Sequence, residues 1–243
     1  MSLILAHRGA SADFPENTIS AIEHALLDPP RADGFECDVR LSADDVPVVF
    51  HDDETTRLTG HPGSIEDRPL SAIKALKVSG EEIPSFAELL EALDRLDVSP
   101  LTINIELKPT GDARALIDAC RPMLTTLHQS VHSVIVSSFD PRVLSAAIDA
   151  AYPCPLAFLY EDLTALRFLD FLDTRAALDL HPKHSLVDAE HLARYEFSPF
   201  NGAKRAFRTW TVDAIEEAQR LERLGVDAMI TNTPQKLSTA LRP

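Results

Sequence analysis

The sequence is short of cysteine, of positive charge and of long apolar runs. Its three cysteines, Cys37, Cys120 and Cys154, are odd in number and show no Cys-x-x-Cys spacing. A disulfide framework and a four-cysteine zinc site are therefore not expected, and buried, reduced thiols are. Lys and Arg number 23 against 38 Asp and Glu, a formal net charge of −15, and no local basic patch interrupts that balance. Such a surface repels nucleic-acid backbones and anionic membranes, so neither nucleic-acid binding nor stable membrane association is expected. If the chain acts on an anion, it has to bring a cation to the site or concentrate its few basic side chains there. The N-terminal run Leu3-Ile4-Leu5-Ala6 is broken at once by His7 and Arg8, too short for a signal segment or a membrane span, which reads as a cytoplasmic protein. Internal repeats and low-complexity tracts are also missing.

What is present fits a globular enzyme-sized chain. At 243 residues with 45% hydrophobic and 25% charged residues, there is enough apolar material for a sizeable core. Short apolar runs alternate with helix-compatible stretches, the pattern of βα units around a parallel sheet. Eight strands are predicted, at Leu3–Ala6, Gly34–Leu41, Leu101–Leu107, Ser133–Phe139, Pro155–Tyr160, Ala176–Leu180, Ala206–Val212 and Ala228–Thr231. Eight is the number a TIM (β/α)8 barrel requires, and ~250 residues is its usual length. Helices are expected over Glu16–Leu27, Asp112–Leu127, Pro141–Ala151, Asp188–Tyr195 and Asp213–Leu224. Another, Ser85–Leu96, carries a capping box in Ser85 and Glu88. Val46–Phe50 reads as a hairpin partner of the second strand. The polar, turn-rich stretch from about 52 to 84 reads as a small excursion from a single barrel domain covering residues 1–243.

Four short segments carry candidate chemistry. In Glu36-Cys37-Asp38 the strand alternation puts both carboxylates on one face, roughly 7 Å apart along the strand, and Cys37 on the other. Neither the interior nor the helix layer of a barrel accepts an unpaired carboxylate pair. A bound cation resolves the conflict, as would basic partners or an exposed strand end. Asn104-Ile105-Glu106-Leu107-Lys108 adds a third carboxylate on the face that also bears Lys108. The plainer reading there is an ion pair. Three oxygen donors without a thiolate suit a hard cation, Mg2+ or Ca2+, better than structural zinc. His7 and His51 each follow an apolar strand, where barrels place their chemistry, and the two can serve as base and acid near neutral pH. Trp210, the only tryptophan, ends a strand and is either core packing or a wall of the pocket. His181 and Lys183 are expected in a solvated loop, and His24, His61, His128, His132, His184 and His191 at the surface.

Taken in order, His7-Arg8-Gly9, Pro15-Glu16-Asn17-Thr18, Glu36-Cys37-Asp38-Val39, His51-Asp52, Ile103 to Lys108, Ser138-Phe139 and Trp210-Thr211-Val212 resemble the glycerophosphodiester phosphodiesterases over almost the whole chain. The resemblance implies a barrel with an excursion after the second strand, a divalent metal on Glu36, Asp38 and Glu106, and a histidine pair at His7 and His51. It also implies that Arg8 and Lys108 meet phosphate oxygens. The expected reaction is hydrolysis of a small-molecule glycerophosphodiester to sn-glycerol 3-phosphate and an alcohol. The attacking group is water, or the glycerol 2-hydroxyl with a cyclic phosphate formed first. Related readings are a lysophospholipase D or sphingomyelinase D type activity, and a barrel without activity kept as a ligand-binding protein. The chain departs from the family pattern at Ser42 to Asp45, at Asp213 where Asn is common after Trp-Thr-Val, at Ala228 for Gly and at Asn232 for Asp. None of these is expected to touch the metal or histidine set.

Overall fold

The computed structural model describes residues 1–108, 111–130 and 132–242. Eight parallel strands form the barrel wall: β1 (Leu3–His7), β2 (Gly34–Leu41), β3 (Thr102–Leu107), β4 (Ser133–Ser138), β5 (Leu156–Tyr160), β6 (Leu178–Pro182), β7 (Arg208–Thr209) and β8 (Ala228–Thr231). Their order in the sheet is β7-β8-β1-β2-β3-β4-β5-β6. The parallel bridges Leu180 to Phe207 and Lys183 to Trp210 bring β6 back to β7 and nearly close the circle. Pro47–Val49 pairs antiparallel with β2, as the hairpin reading expects.

The wall is built from strands buried on both faces. Every residue of β2 is buried, and so is every residue of β5. One face of β2 sends Phe35, Cys37 and Val39 into the main apolar cluster against Ile22, Leu26, Leu89 and Leu116 of the surrounding helices. The other face carries Glu36 and Asp38 into the barrel. Close strand packing explains one glycine: a Cβ on Gly34 would lie 1.7 Å from the carbonyl oxygen of Thr102. The outer helices begin on side-chain caps. Thr18 accepts from the Ala21 amide ahead of Ile19–Leu27, and Asp140 accepts from the Arg142 amide ahead of Pro141–Asp149. Ser85 and Glu88 form the reciprocal box ahead of Phe86–Leu96. Helices Leu169–Asp173 and Pro234–Leu241, which the alternation pattern did not mark, complete the layer.

Two strands differ from expectation by more than one residue at an end. The sixth runs two residues further on, Leu178–Pro182 instead of Ala176–Leu180. The seventh shrinks to Arg208–Thr209, because side chains take over the pairing before it. Asp179 accepts from the Ala206 amide at 2.9 Å, and Asp227 accepts from the Phe207 amide at 2.7 Å. The shift of β6 moves His181 out of the expected solvated loop and into the wall, where it is fully buried. His191 is also buried, not at the surface. It lies on the inward face of Ala189–Tyr195, 2.7 Å from the Tyr160 hydroxyl.

The segment from 52 to 84 folds as two short helices, Thr56–Thr59 and Leu70–Lys74, and a small hairpin, Lys77–Val78 with Glu81–Glu82. It has its own apolar cluster of Ile65, Ile73, Leu76, Val78 and Ile83 resting on Val48 and Phe50. No helix among the described residues is long and apolar enough to cross a membrane. Cys37, Cys120 and Cys154 are buried and free, as expected.

Candidate active site

Register decides which carboxylates meet. β2 and β3 pair Asp38 with Glu106 and Glu36 with Asn104, so the inward faces of two neighbouring strands present all three acids side by side. One oxygen from each of Glu36, Asp38 and Glu106 lies within 4.8 Å of the others, and all three residues are buried. Basic side chains offset part of this charge. Lys108 Nζ is 2.5 Å from Glu106 Oε1 and 3.0 Å from Asp38 Oδ1, and Arg8 Nε is 3.2 Å from Asp38 Oδ2. Asn17 Nδ2 donates to the same Asp38 oxygen at 2.8 Å.

The consequences for the three acids differ. Burial would raise Asp38, but Lys108 and Arg8 outweigh it and hold the carboxyl well below its usual range. Burial, then Asp38, pushes Glu36 well above its ordinary value, and Glu36 Oε1 has no hydrogen-bond partner. Burial also raises Glu106. A buried carboxylate oxygen without a donor is costly, and a hard divalent cation among three such oxygens removes the cost. The donor set therefore fits a metal ion.

His7, at the end of β1, places Nδ1 2.7 Å from the acceptor oxygen Asn232 Oδ1, and its Nε2 lies 3.9 Å from Glu36 Oε2. Burial, then the Arg8 guanidinium, lowers its pKa to about 4. The next two residues form the turn that aims the site. Arg8 takes a left-handed backbone with φ of 57°, and its amide reaches the Glu36 carbonyl at 2.9 Å. Gly9, with φ of 84°, sits against the backbone of Ala21, and a Cβ there would meet it at 2.5 Å.

His51 follows the antiparallel strand Pro47–Val49 and has a different partner: its Nδ1 lies 2.6 Å from Asp52 Oδ1. Burial lowers its pKa, as do the charges of Lys108 and Arg8, while the charge of Asp38 and the hydrogen bond to Asp52 oppose that shift. Asp52 is gripped in turn by Arg57 of the excursion, at 2.6 and 2.9 Å. Arg57 also reaches both oxygens of Glu16, which accepts from Arg8 at 2.8 Å. Arg40, buried in β2, donates to the His51 carbonyl at 2.8 Å. A continuous chain of charges thus ties the excursion to the carboxylate cluster.

These groups surround one cavity of about 510 Å3. His7, Arg8, Glu36, His51, Glu106 and Lys108 line one side, and Phe139, Leu159 and Trp210 give it an apolar wall. Trp210 meets Phe139 edge to face at 5.1 Å, and its indole nitrogen donates to the His181 carbonyl at 2.8 Å. The eight residues singled out in the sequence therefore gather in one place, with Asp38 directly behind the cavity wall. His181 and Lys183 do not line it.

Sequence reasoning missed several neighbours. Asn104 lines the cavity, is 1% exposed, and neither atom of its amide has a partner. The Asn104-to-Lys108 alternation could have marked it, since it shares the face of Glu106. Asn232 touches His7, and Asp213 holds Asn232. This corrects the expectation that the departures at 213 and 232 leave the histidine set untouched: β8 lies beside β1, so a residue just past its end is next to His7.

A parallel barrel with this concentration of ionisable groups at the C-terminal ends of its strands has the layout of a barrel enzyme. The model for the glycerophosphoryl diester phosphodiesterase family matches residues 7–236. The chain belongs to that family, and so to the phosphoric diester hydrolases. It is 32% identical to a glycerophosphodiester phosphodiesterase of Caldanaerobacter subterraneus, over 99% of this chain and 98% of the relative. An Oleispira antarctica phosphodiesterase, solved in complex with the product sn-glycerol-3-phosphate, superposes with a TM-score of 0.84 at 26% identity, covering 100% of this chain and 98% of that one. A Thermotoga maritima glycerophosphodiester phosphodiesterase gives 0.78 at 27% identity, covering 100% and 99%.

Proposed function

We propose that this protein hydrolyses small glycerophosphodiesters to sn-glycerol 3-phosphate and a free alcohol, with Mg2+ or Ca2+ held by Glu36, Asp38 and Glu106. The observation that carries the reading is the convergence of three buried carboxylates, two basic side chains and two differently partnered histidines on one cavity. The product named in the Oleispira structure agrees with it. When bound, the cation supplies charge neutralisation at the phosphoryl group, which a diester anion needs before a nucleophile can approach.

The chain's own residues divide the remaining work. Arg8 and Lys108 reach the cavity from the cluster and bind phosphoryl oxygens. His7 accepts the proton of the attacking hydroxyl at Nε2; it faces a neutral amide, and its pKa of about 4 keeps it unprotonated near pH 7. His51 donates a proton to the departing alcohol oxygen. Burial lowers its pKa, and two groups oppose that shift by stabilising the imidazolium that an acid has to be: its partner, the Asp52 carboxylate, and the anionic phosphoryl group of a bound substrate. Trp210 and Phe139 form the wall for the organic part of the substrate. Three buried free thiols support a reducing compartment, the cytoplasm.

The test is release of sn-glycerol 3-phosphate from a panel of glycerophosphodiesters, followed with a coupled dehydrogenase. Activity should disappear in chelator, return with Mg2+ or Ca2+, and return poorly in Asp38→Ala or Glu106→Ala. Full turnover in chelator would overturn the metal assignment, and no turnover of any glycerophosphodiester would overturn the substrate class.

A further inference from the structure

We infer that Asp213 and Asn232 are a positioning pair that fixes the ring of His7 with its hydrogen on Nδ1, so that Nε2 presents a lone pair to the reacting group. The inference rests on the reading of His7 as the base. An imidazole accepts a proton only at a nitrogen that is free of hydrogen, and the partner of the other nitrogen decides which one that is.

The geometry settles the orientation step by step. Asp213 is an acceptor only, and it takes two hydrogen bonds from the same residue: the Asn232 amide nitrogen donates to Oδ1 at 2.8 Å and Asn232 Nδ2 donates to Oδ2 at 2.7 Å. The Thr231 hydroxyl adds a third, to Oδ1 at 2.9 Å. With its NH2 committed to the carboxylate, the side chain of Asn232 has to turn its carbonyl oxygen the other way. That oxygen accepts from the Ser11 hydroxyl at 2.8 Å and lies 2.7 Å from His7 Nδ1. A flipped amide would set Oδ1 against the Asp213 carboxylate, oxygen to oxygen, and is excluded electrostatically. His7 Nδ1 therefore faces an acceptor and carries the hydrogen.

The two residues of the pair are also two positions at which the chain departs from its family pattern, Asp for Asn at 213 and Asn for Asp at 232. The contact between them relates the two departures as an exchange of amide and carboxylate across a hydrogen bond. A carboxylate at 232 would also accept from Nδ1. The inference thus predicts that the swapped double variant keeps the tautomer and that Asp213→Asn alone loses it.

Nitrogen NMR of the 15N-histidine-labelled protein reads the tautomer directly, without substrate. In the parent, His7 should show a protonated Nδ1 and an unprotonated Nε2. Asn232→Ala removes the acceptor, and Asp213→Asn releases the amide to flip; both should move His7 toward the Nε2–H form. Their kcat should fall roughly 10–10²-fold with KM within about twofold. Asp213→Asn combined with Asn232→Asp should restore the parental tautomer and most of kcat. A parent His7 with its hydrogen on Nε2, or an Asn232→Ala protein with unchanged tautomer, overturns the inference even if the variants are less stable. A tautomer that shifts while kcat does not would uphold the positioning pair and remove His7 from the role of base.

Discussion

The carboxylate cluster makes the thermal stability of the folded protein a meter for the bound cation. Three buried carboxylates, Glu36, Asp38 and Glu106, face two basic groups, Arg8 and Lys108, and with both histidines neutral one negative charge is left over. A divalent ion that binds the folded chain and not the unfolded one stabilises it by RT ln(1 + [L]/Kd), about 2.7 kcal/mol at a hundredfold excess over Kd. Each kcal/mol is worth ~2–4 °C in Tm for a chain of this size, so the midpoint should rise by roughly 5–11 °C between chelator and saturating Mg2+ or Ca2+. Glu36→Gln takes away a ligand and the charge whose Oε1 has no partner. This variant should melt higher than the parent in chelator, because a buried charge has gone, and should gain less than half the parental rise on adding the ion. Scanning calorimetry with and without chelator measures both. A parent midpoint that ignores millimolar Mg2+, Ca2+ and Mn2+, or a Glu36→Gln protein that gains as much as the parent, would show that Arg8 and Lys108 neutralise the cluster unaided.

Two further predictions concern other residues. His51→Ala should lose about 10²–10⁴-fold on glycerophosphocholine, whose alcohol leaves poorly, and far less on a glycerophospho-nitrophenol ester, which needs little proton assistance; Asp52→Asn should show the same dependence more weakly. Equal losses on both esters would take the acid role away from His51. Arg205 and Asp173 form a buried ion pair remote from the cavity. Arg205→Ala leaves the Asp173 carboxylate buried and unpaired and should cost about 3–5 kcal/mol, or roughly 6–20 °C in Tm. A smaller loss would mean that water reaches Asp173 in the variant.

The barrel was legible because its signals are local. Short apolar runs marked β2 and β8 to the residue, and Ser85 with Glu88 marked a helix start that the structure reproduces. Of the candidate site, what could be read was whatever a single strand encodes: Glu36 with Asp38, and Glu106 with Lys108, share a face because the pleat repeats every two residues. β7 failed for the complementary reason. Its pairing is borrowed by the side chains of Asp179 and Asp227, and no run of apolar residues records that.

The parts of the site that stayed hidden are hydrogen-bond partners brought together by barrel closure. His7 and Asn232 lie 225 residues apart, and Arg57 and Glu16 lie 41 apart. Both contacts depend on which strands and loops are neighbours, not on any local period. The clue at 213 and 232 was present in the sequence as two departures from a family pattern. Taken singly, neither falls on a metal or histidine position. Once β8 is placed beside β1, the two become a single pair against His7. The pair also separates the two histidines chemically. His7 rests on an amide that cannot gain a charge, and His51 rests on a carboxylate that stabilises one. Burial lowers both histidines below their ordinary pKa, and what sets them apart is the charge of the neighbour, a neutral amide beside His7 and a carboxylate beside His51.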